Sequence, residues 1–155
     1  MTSNDILRRI RYALDISDPA MIAIFKLYDH EIDQAGLSGL LKKEDEEDHI
    51  ACSDAVMGLF LDGLILYRRG GQKIVRDAGS NPDAPLTNND ILKKIRIALE
   101  LKEDDMLLIL QLADIRISKS ELSALFRKKG HKNYRECGDQ FLRNFLNGLT
   151  KHYRG

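Results

Sequence analysis

The feature that most constrains this chain is its likeness to itself. Displaced by 85 residues, positions 2–70 lie on positions 87–155 without an insertion, and 26 of those 69 positions are identical. Ordinary residue frequencies would give roughly four or five matches. The chain is therefore a tandem duplication, and its fold must be built from one unit used twice. The identities cluster. Thr2, Asn4, Asp5, Ile6, Leu7, Ile10, Arg11, Ala13 and Leu14 return as Thr87, Asn89, Asp90, Ile91, Leu92, Ile95, Arg96, Ala98 and Leu99. Cys52, Asp54, Phe60, Leu61, Gly63, Leu64, Arg69 and Gly70 return as Cys137, Asp139, Phe145, Leu146, Gly148, Leu149, Arg154 and Gly155.

Each copy reads as four short helices. The first opens on a capping box, Thr2-x-x-Asp5 and Thr87-x-x-Asp90, followed by a helical apolar stripe at Ile6, Leu7, Ile10, Ala13 and Leu14. The second is expected over 18–29, with Pro19 in its first turn, and over 103–114, where Glu103, Asp104 and Asp105 suit the positive end of the helix dipole. The third is expected over 34–43 and 119–128, the latter behind a further capping box, Ser118-x-x-Glu121. A long fourth helix carries Val56, Met57, Phe60, Leu61 and Leu64 on one face, and in the second copy Phe141, Leu142, Phe145, Leu146 and Leu149. Gly63 and Gly148 fall inside that face at a cost of about 1 kcal/mol each relative to alanine, which points to a close crossing of two backbones.

These readings give three segments: a first repeat over 2–70, a linker over 71–86 that holds Gly71, Gly79, Pro82 and Pro85 without periodicity, and a second repeat over 87–155. A unit of about 70 residues buries little surface alone. The two copies are expected to pack on each other about a pseudo-two-fold axis as an all-α body of about eight helices. With 43% apolar and 31% charged residues, the chain can bury a real core. Its start lacks the basic and apolar stretches of a secretory signal, and the longest apolar run, 21–25, is too short to span a bilayer, so a cytoplasmic location away from membranes is expected. Cys52 and Cys137 are expected as free thiols there.

Net charge is zero, but it is unevenly placed. Residues 2–70 hold 8 Lys or Arg against 13 Asp or Glu, a net of −5, and residues 87–155 hold 14 against 9, a net of +5. The largest reversal follows the third helix, where Glu44, Asp45, Glu46, Glu47 and Asp48 stand opposite Lys129, Gly130, His131, Lys132 and Asn133, with Lys128 and Arg135 on either side. Two solvated loops would contribute little stability. Alternatively the two stretches face each other, within one chain or between chains, the second case permitting head-to-tail association.

At these stretches the sequence resembles a known family. Lys42-Lys43-Glu44-Asp45-Glu46-Glu47 leading to Cys52 and to Phe60-Leu61-x-Gly63-Leu64-Ile65 resembles the bacterial YehS-like family, as do the run from His131 to Arg143 and Phe145-Leu146-x-Gly148-Leu149. The starts from Ser3 to Arg8 and from Asn88 to Arg96 fit as well. The resemblance implies a bacterial cytosolic protein and a two-copy architecture of unknown function. It carries no activity, ligand or catalytic residue.

The residues supply little chemistry beyond this. Cys52 and Cys137 each precede a helix start, where a thiol can be acidified, but Asp54 and Asp139 beside them oppose a thiolate. Cys52, Asp54, Gly63, Cys137, Asp139 and Gly148 are accordingly read as structural. His49-x-x-Cys52 has the spacing of zinc ligands, but the counterparts of His49 and His131 are Tyr134 and Glu46, so no metal site is expected. No phosphate loop, nucleophile motif or distinctive carboxylate pair stands out, and neither an enzyme nor a cofactor is expected. Residues 103–128 allow a helix-turn-helix with Arg116, Lys119, Arg127, Lys128, Lys129, Lys132 and Arg135 as phosphate contacts, although the first copy is acidic at the matching places. The preferred reading is a non-catalytic interaction or adaptor module. Glu44 to Asp48, Lys128, Lys129, His131, Lys132 and Arg135 would meet an unidentified protein partner or a second copy, and nucleic-acid binding is the alternative. A catalytic reading would require a polar pocket between the copies near Cys137 and His131.

Overall fold

The computed structural model describes residues 1–71 and 85–155, so Gly79 and Pro82 of the expected linker lie outside the described residues. Eight helices are described: α1 (Ser3–Leu14), α2 (Asp18–Lys26), α3 (Gln34–Leu41), α4 (Asp54–Arg69), α5 (Asn88–Ala98), α6 (Glu103–Leu112), α7 (Lys119–Ala124) and α8 (Asp139–Arg154). No strand occurs among the described residues. The capping boxes form as the spacing requires: Thr2 accepts from Asp5 N–H while Asp5 accepts from Thr2 N–H, and Thr87 with Asp90 and Ser118 with Glu121 do the same.

The two copies interlock. The principal neighbour of α1 is α8, and that of α5 is α4, whereas α1 with α4 and α5 with α8, inside each copy, touch only lightly. Matching bonds tie both ends of each pair. At one end Met1 N meets Asp139 Oδ2 at 3.2 Å, and Leu86 N–H donates to Asp54 Oδ2 at 3.0 Å. At the other end Arg154 meets Asp15 at 3.2 Å and Arg69 meets Glu100 at 3.3 Å. Each of these couples is the other displaced by 85 residues, which fixes the pseudo-two-fold relation.

Because start meets start and end meets end, α1 runs parallel to α8 and α4 parallel to α5. The chain must therefore return the whole length of α4, about 24 Å at 1.5 Å per residue, before α5 begins. Residues 71–86 can reach about twice that distance. Asn4 beside Cys52 and Asn89 beside Cys137 bring the starts of α1 and α4, and of α5 and α8, together. All four of these helices thus begin at one end of the molecule.

Buried side chains from both copies join in one cluster, among them Leu7, Ile10, Met21, Ile24, Phe25 and Leu61 and their counterparts Leu92, Ile95, Met106, Ile109, Leu110 and Leu146. The rings of Phe25 and Phe60 pack tilted at 5.3 Å between centroids. Across this core α4 crosses α2 at Gly63, and α8 crosses α6 at Gly148. A Cβ at Gly63 would lie 2.3 Å from the Ile24 carbonyl oxygen, and one at Gly148 would lie 2.1 Å from that of Ile109, which accounts for glycine at both places.

Four helices are shorter than their periodicity suggests. The spans 18–29 and 103–114 include the last turn, but α2 and α6 stop at Lys26 and Leu112, and Asp29 and Asp114 sit in the left-handed region at φ 61° and 62°. The spans 34–43 and 119–128 give way to α3 and α7, which end at Leu41 and Ala124. There the Gly39 and Ala124 carbonyls turn outward to accept the N–H groups of Ile50 and Arg135, each at 3.0 Å, and close the loop that follows.

Candidate functional site

Among the places that combine polar groups with access are the end where the four helices begin and a groove between α1 and α8. The end is built around a buried asparagine in each copy. Asn4 donates from Nδ2 to the Leu40 and Ile50 carbonyls, both at 2.8 Å, and accepts from Cys52 N–H at 2.9 Å. Asn89 repeats this with Leu125, Arg135 and Cys137, all at 2.9 Å. One amide thereby fastens both ends of the polar loop to the first helix of its copy. The two asparagines were visible in the sequence as identical positions, but only the burial of a side chain with three bonds reveals the role.

These loops carry the charge reversal. Glu44, Asp45, Glu46, Glu47 and Asp48 are all exposed on the first loop, and Lys128, Lys129, His131, Lys132 and Arg135 are all exposed on the second. Because both loops lead into helices that begin at the same end, the acidic and basic stretches share that end, on either side of the pseudo-two-fold axis. Among the described residues no ion pair joins one stretch to the other; Arg135 instead meets Glu121 of its own copy at 3.3 Å. Glu46 accepts from Lys43 N–H at 2.9 Å and Lys42 Nζ donates to the Glu47 carbonyl at 2.9 Å, so the acidic loop is ordered by local bonds.

The remaining sequence candidates are placed apart. Cys52 and Cys137 are buried beneath the loops as free thiols. Burial, with Asp54 alongside, pushes the Cys52 thiol up to about 12, and burial with Asp139 alongside pushes Cys137 up to about 11. His49 Nδ1 lies 3.0 Å from the Lys42 carbonyl while Cys52 Sγ turns to the Ser53 carbonyl, so the two do not converge. In the helix-turn-helix segment α7 has six residues, and Lys119 pairs with Asp104 at 3.8 Å. His131 accepts from Asn133 N–H at 3.0 Å on the exposed loop, whereas Cys137 is buried.

A polar pocket between the copies does exist, but it lies elsewhere. The groove between α1 and α8 is open to solvent, has a volume of about 590 Å³ and is lined by Arg8, Arg9 and Tyr12 of the first copy with Asp114, Asn144, Asn147 and Lys151 of the second. Arg8 is committed to Asp5 and to the Lys42 carbonyl. Arg9 donates to Asn147 Oδ1 at 2.9 Å, and Lys151 donates to the Leu112 carbonyl at 3.2 Å. Tyr12 is 59% exposed, with the Arg154 guanidinium 4.2 Å from its ring centre. These residues escaped sequence reading because no motif links them; only the parallel packing of two helices more than 120 residues apart in sequence brings them together.

Among the described residues no helix is long and apolar enough to cross a membrane. No solved structure matches the chain significantly. The chain is 44% identical over 150 residues to the uncharacterised protein YehS of Escherichia coli (strain K12), covering 97% of this chain and 95% of that one. A family model described as a protein of unknown function (DUF1456) matches twice, over residues 3–70 and again over 88–155. With most of its length matched by two copies of that model, the chain belongs to the DUF1456 family.

Proposed function

We propose that this chain is a non-catalytic interaction protein whose partner docks on the end of the bundle that carries the acidic and basic loops. The observation that supports this reading is that nine exposed charges, Glu44 to Asp48 of one sign and Lys128, Lys129, Lys132 and Arg135 of the other, share one end with His131, and among the described residues no ion pair joins the two groups. A surface with negative charge on one side and positive on the other orients a complementary surface as well as attracting it. The buried thiols, whose burial holds them protonated, add support, since neither is poised as a thiolate nucleophile.

The test is affinity capture from a bacterial lysate at about 50 mM salt, where exposed charges are weakly screened. Three baits are compared: the intact chain, a variant with residues 44–48 changed to their amides, and Lys128→Ala/Lys129→Ala/Lys132→Ala. The expected result is one protein retained by the intact chain and lost from both variants. Identical captures by all three baits would contradict the reading. Nuclease-sensitive capture, steep in salt and lost only from the lysine variant, would replace it with nucleic-acid binding.

A further inference from the structure

The duplication provides an internal control for the α1/α8 groove, because the α4/α5 pair presents the same positions with different residues. There Lys94, the counterpart of Arg9, meets the carboxylate of Asp62 at 2.5 Å, and Asp62 is the counterpart of Asn147. The fold's need at this position is thus met by an ion pair in one half. In the other half the carboxylate is replaced by an amide, and Arg9 keeps its full charge. Lys151 lines the same groove where the other half has Leu66, and Asn144 and Thr150 stand where it has Leu59 and Ile65. Neither Arg9 nor Lys151 forms an ion pair among the described residues; their partners are an amide and a backbone carbonyl. Two unneutralised cations in an open groove are the arrangement that receives an anion.

The groove offers more than charge. Tyr12 lies one helical turn from Arg9 on α1, so its ring and the guanidinium are neighbours about 5–6 Å apart at their Cβ atoms. Arg154 fixes that ring from one side and leaves more than half of its surface open. Asn144 and Thr150 add polar groups along α8, and the volume of the open groove, about 590 Å³, is within the range of small-molecule sites. Asp114 also lines the groove, two residues from the Leu112 carbonyl that holds Lys151, so Arg9 is the cation farther in sequence from a carboxylate of the lining. We propose that the α1/α8 groove binds a nucleotide-sized ligand, with an anionic phosphate between Arg9 and Lys151 and a planar ring against Tyr12. This site is separate from the charged end proposed above, and neither depends on the other.

The test is calorimetric titration of the intact chain with AMP, adenosine, inorganic phosphate and a short single-stranded oligonucleotide as separate probes. AMP is expected to bind more tightly than adenosine or phosphate. Asn147→Asp copies the other half's ion pair, so it should leave the thermal unfolding midpoint unchanged while weakening AMP about tenfold or more. Tyr12→Ala should weaken AMP by a similar factor and leave phosphate unaffected. The proposal is overturned if AMP gives no heat up to millimolar concentration, if phosphate alone matches AMP, if Asn147→Asp binds as the parent does, or if only the oligonucleotide binds.

Discussion

Two kinds of residue hold this fold at points where no substitute fits. Asn4 and Asn89 each satisfy three backbone groups, two of the bonds buried and one part-buried, and each lost buried partner leaves a group whose burial costs about 1–3 kcal/mol. Asn89→Ala is therefore expected to destabilise the chain by about 3 kcal/mol or more in urea unfolding; a loss under about 1 kcal/mol would show the loop to be held by something else. Gly63 and Gly148 are set by a different demand. Alanine raises helix propensity by about 1 kcal/mol, but a Cβ would overlap a backbone carbonyl that has no rotamer to move. Gly148→Ala should consequently cost about 1–3 kcal/mol net, measured the same way, and a stabilised variant would contradict the close crossing. The glycines were legible because an apolar helical face interrupted at the same place in both copies has few explanations. The asparagines were not, because a polar residue in a first helical turn looks like any capping residue.

At the scale of elements, helix starts were legible and helix ends were not. Starts are marked by side chains that bond locally: Thr2 with Asp5, Ser118 with Glu121. Ends depend on backbone conformation, and here left-handed residues close α1, α2, α5 and α6 at Asp15, Asp29, Glu100 and Asp114, without the glycine that would announce them. The next residue's N–H reaches back five positions, as Ile16 to Arg11 and Leu101 to Arg96, so the turn is closed despite its acidic side chain. The starts also set the response to acid. The Gln34 bond and Arg11 hold the Asp18 carboxyl below its usual range, Asn88 and the Met1 amino group do so for Asp139, and Ser118 N–H does so for Glu121. A carboxyl depressed by folding stabilises the native state above its unfolded value and loses that contribution as pH falls through its folded value. The thermal midpoint followed by circular dichroism should thus hold steady from neutral pH to about 5 and fall below about 4. A midpoint that rises below pH 4 would contradict these assignments.

The whole molecule shows why a duplication was needed at all. The first copy holds α1 and α4, but their main partners, α8 and α5, belong to the second copy. The sequence revealed that there are two copies and that they share a core. Their parallel interlock was hidden, because residue periodicity reports which face of a helix is buried and not against what. The α1/α8 junction carries an open groove with Arg9 and Lys151, where the α4/α5 junction has the Lys94–Asp62 ion pair and apolar residues at the matching positions. The most direct test of this interlock is to express residues 1–71 and 85–155 separately and follow each, and their mixture, by circular dichroism and sedimentation. Neither piece should fold as a monomer, and the mixture should regain the helicity of the intact chain as a one-to-one complex. A single piece that unfolds cooperatively as a monomer would contradict it.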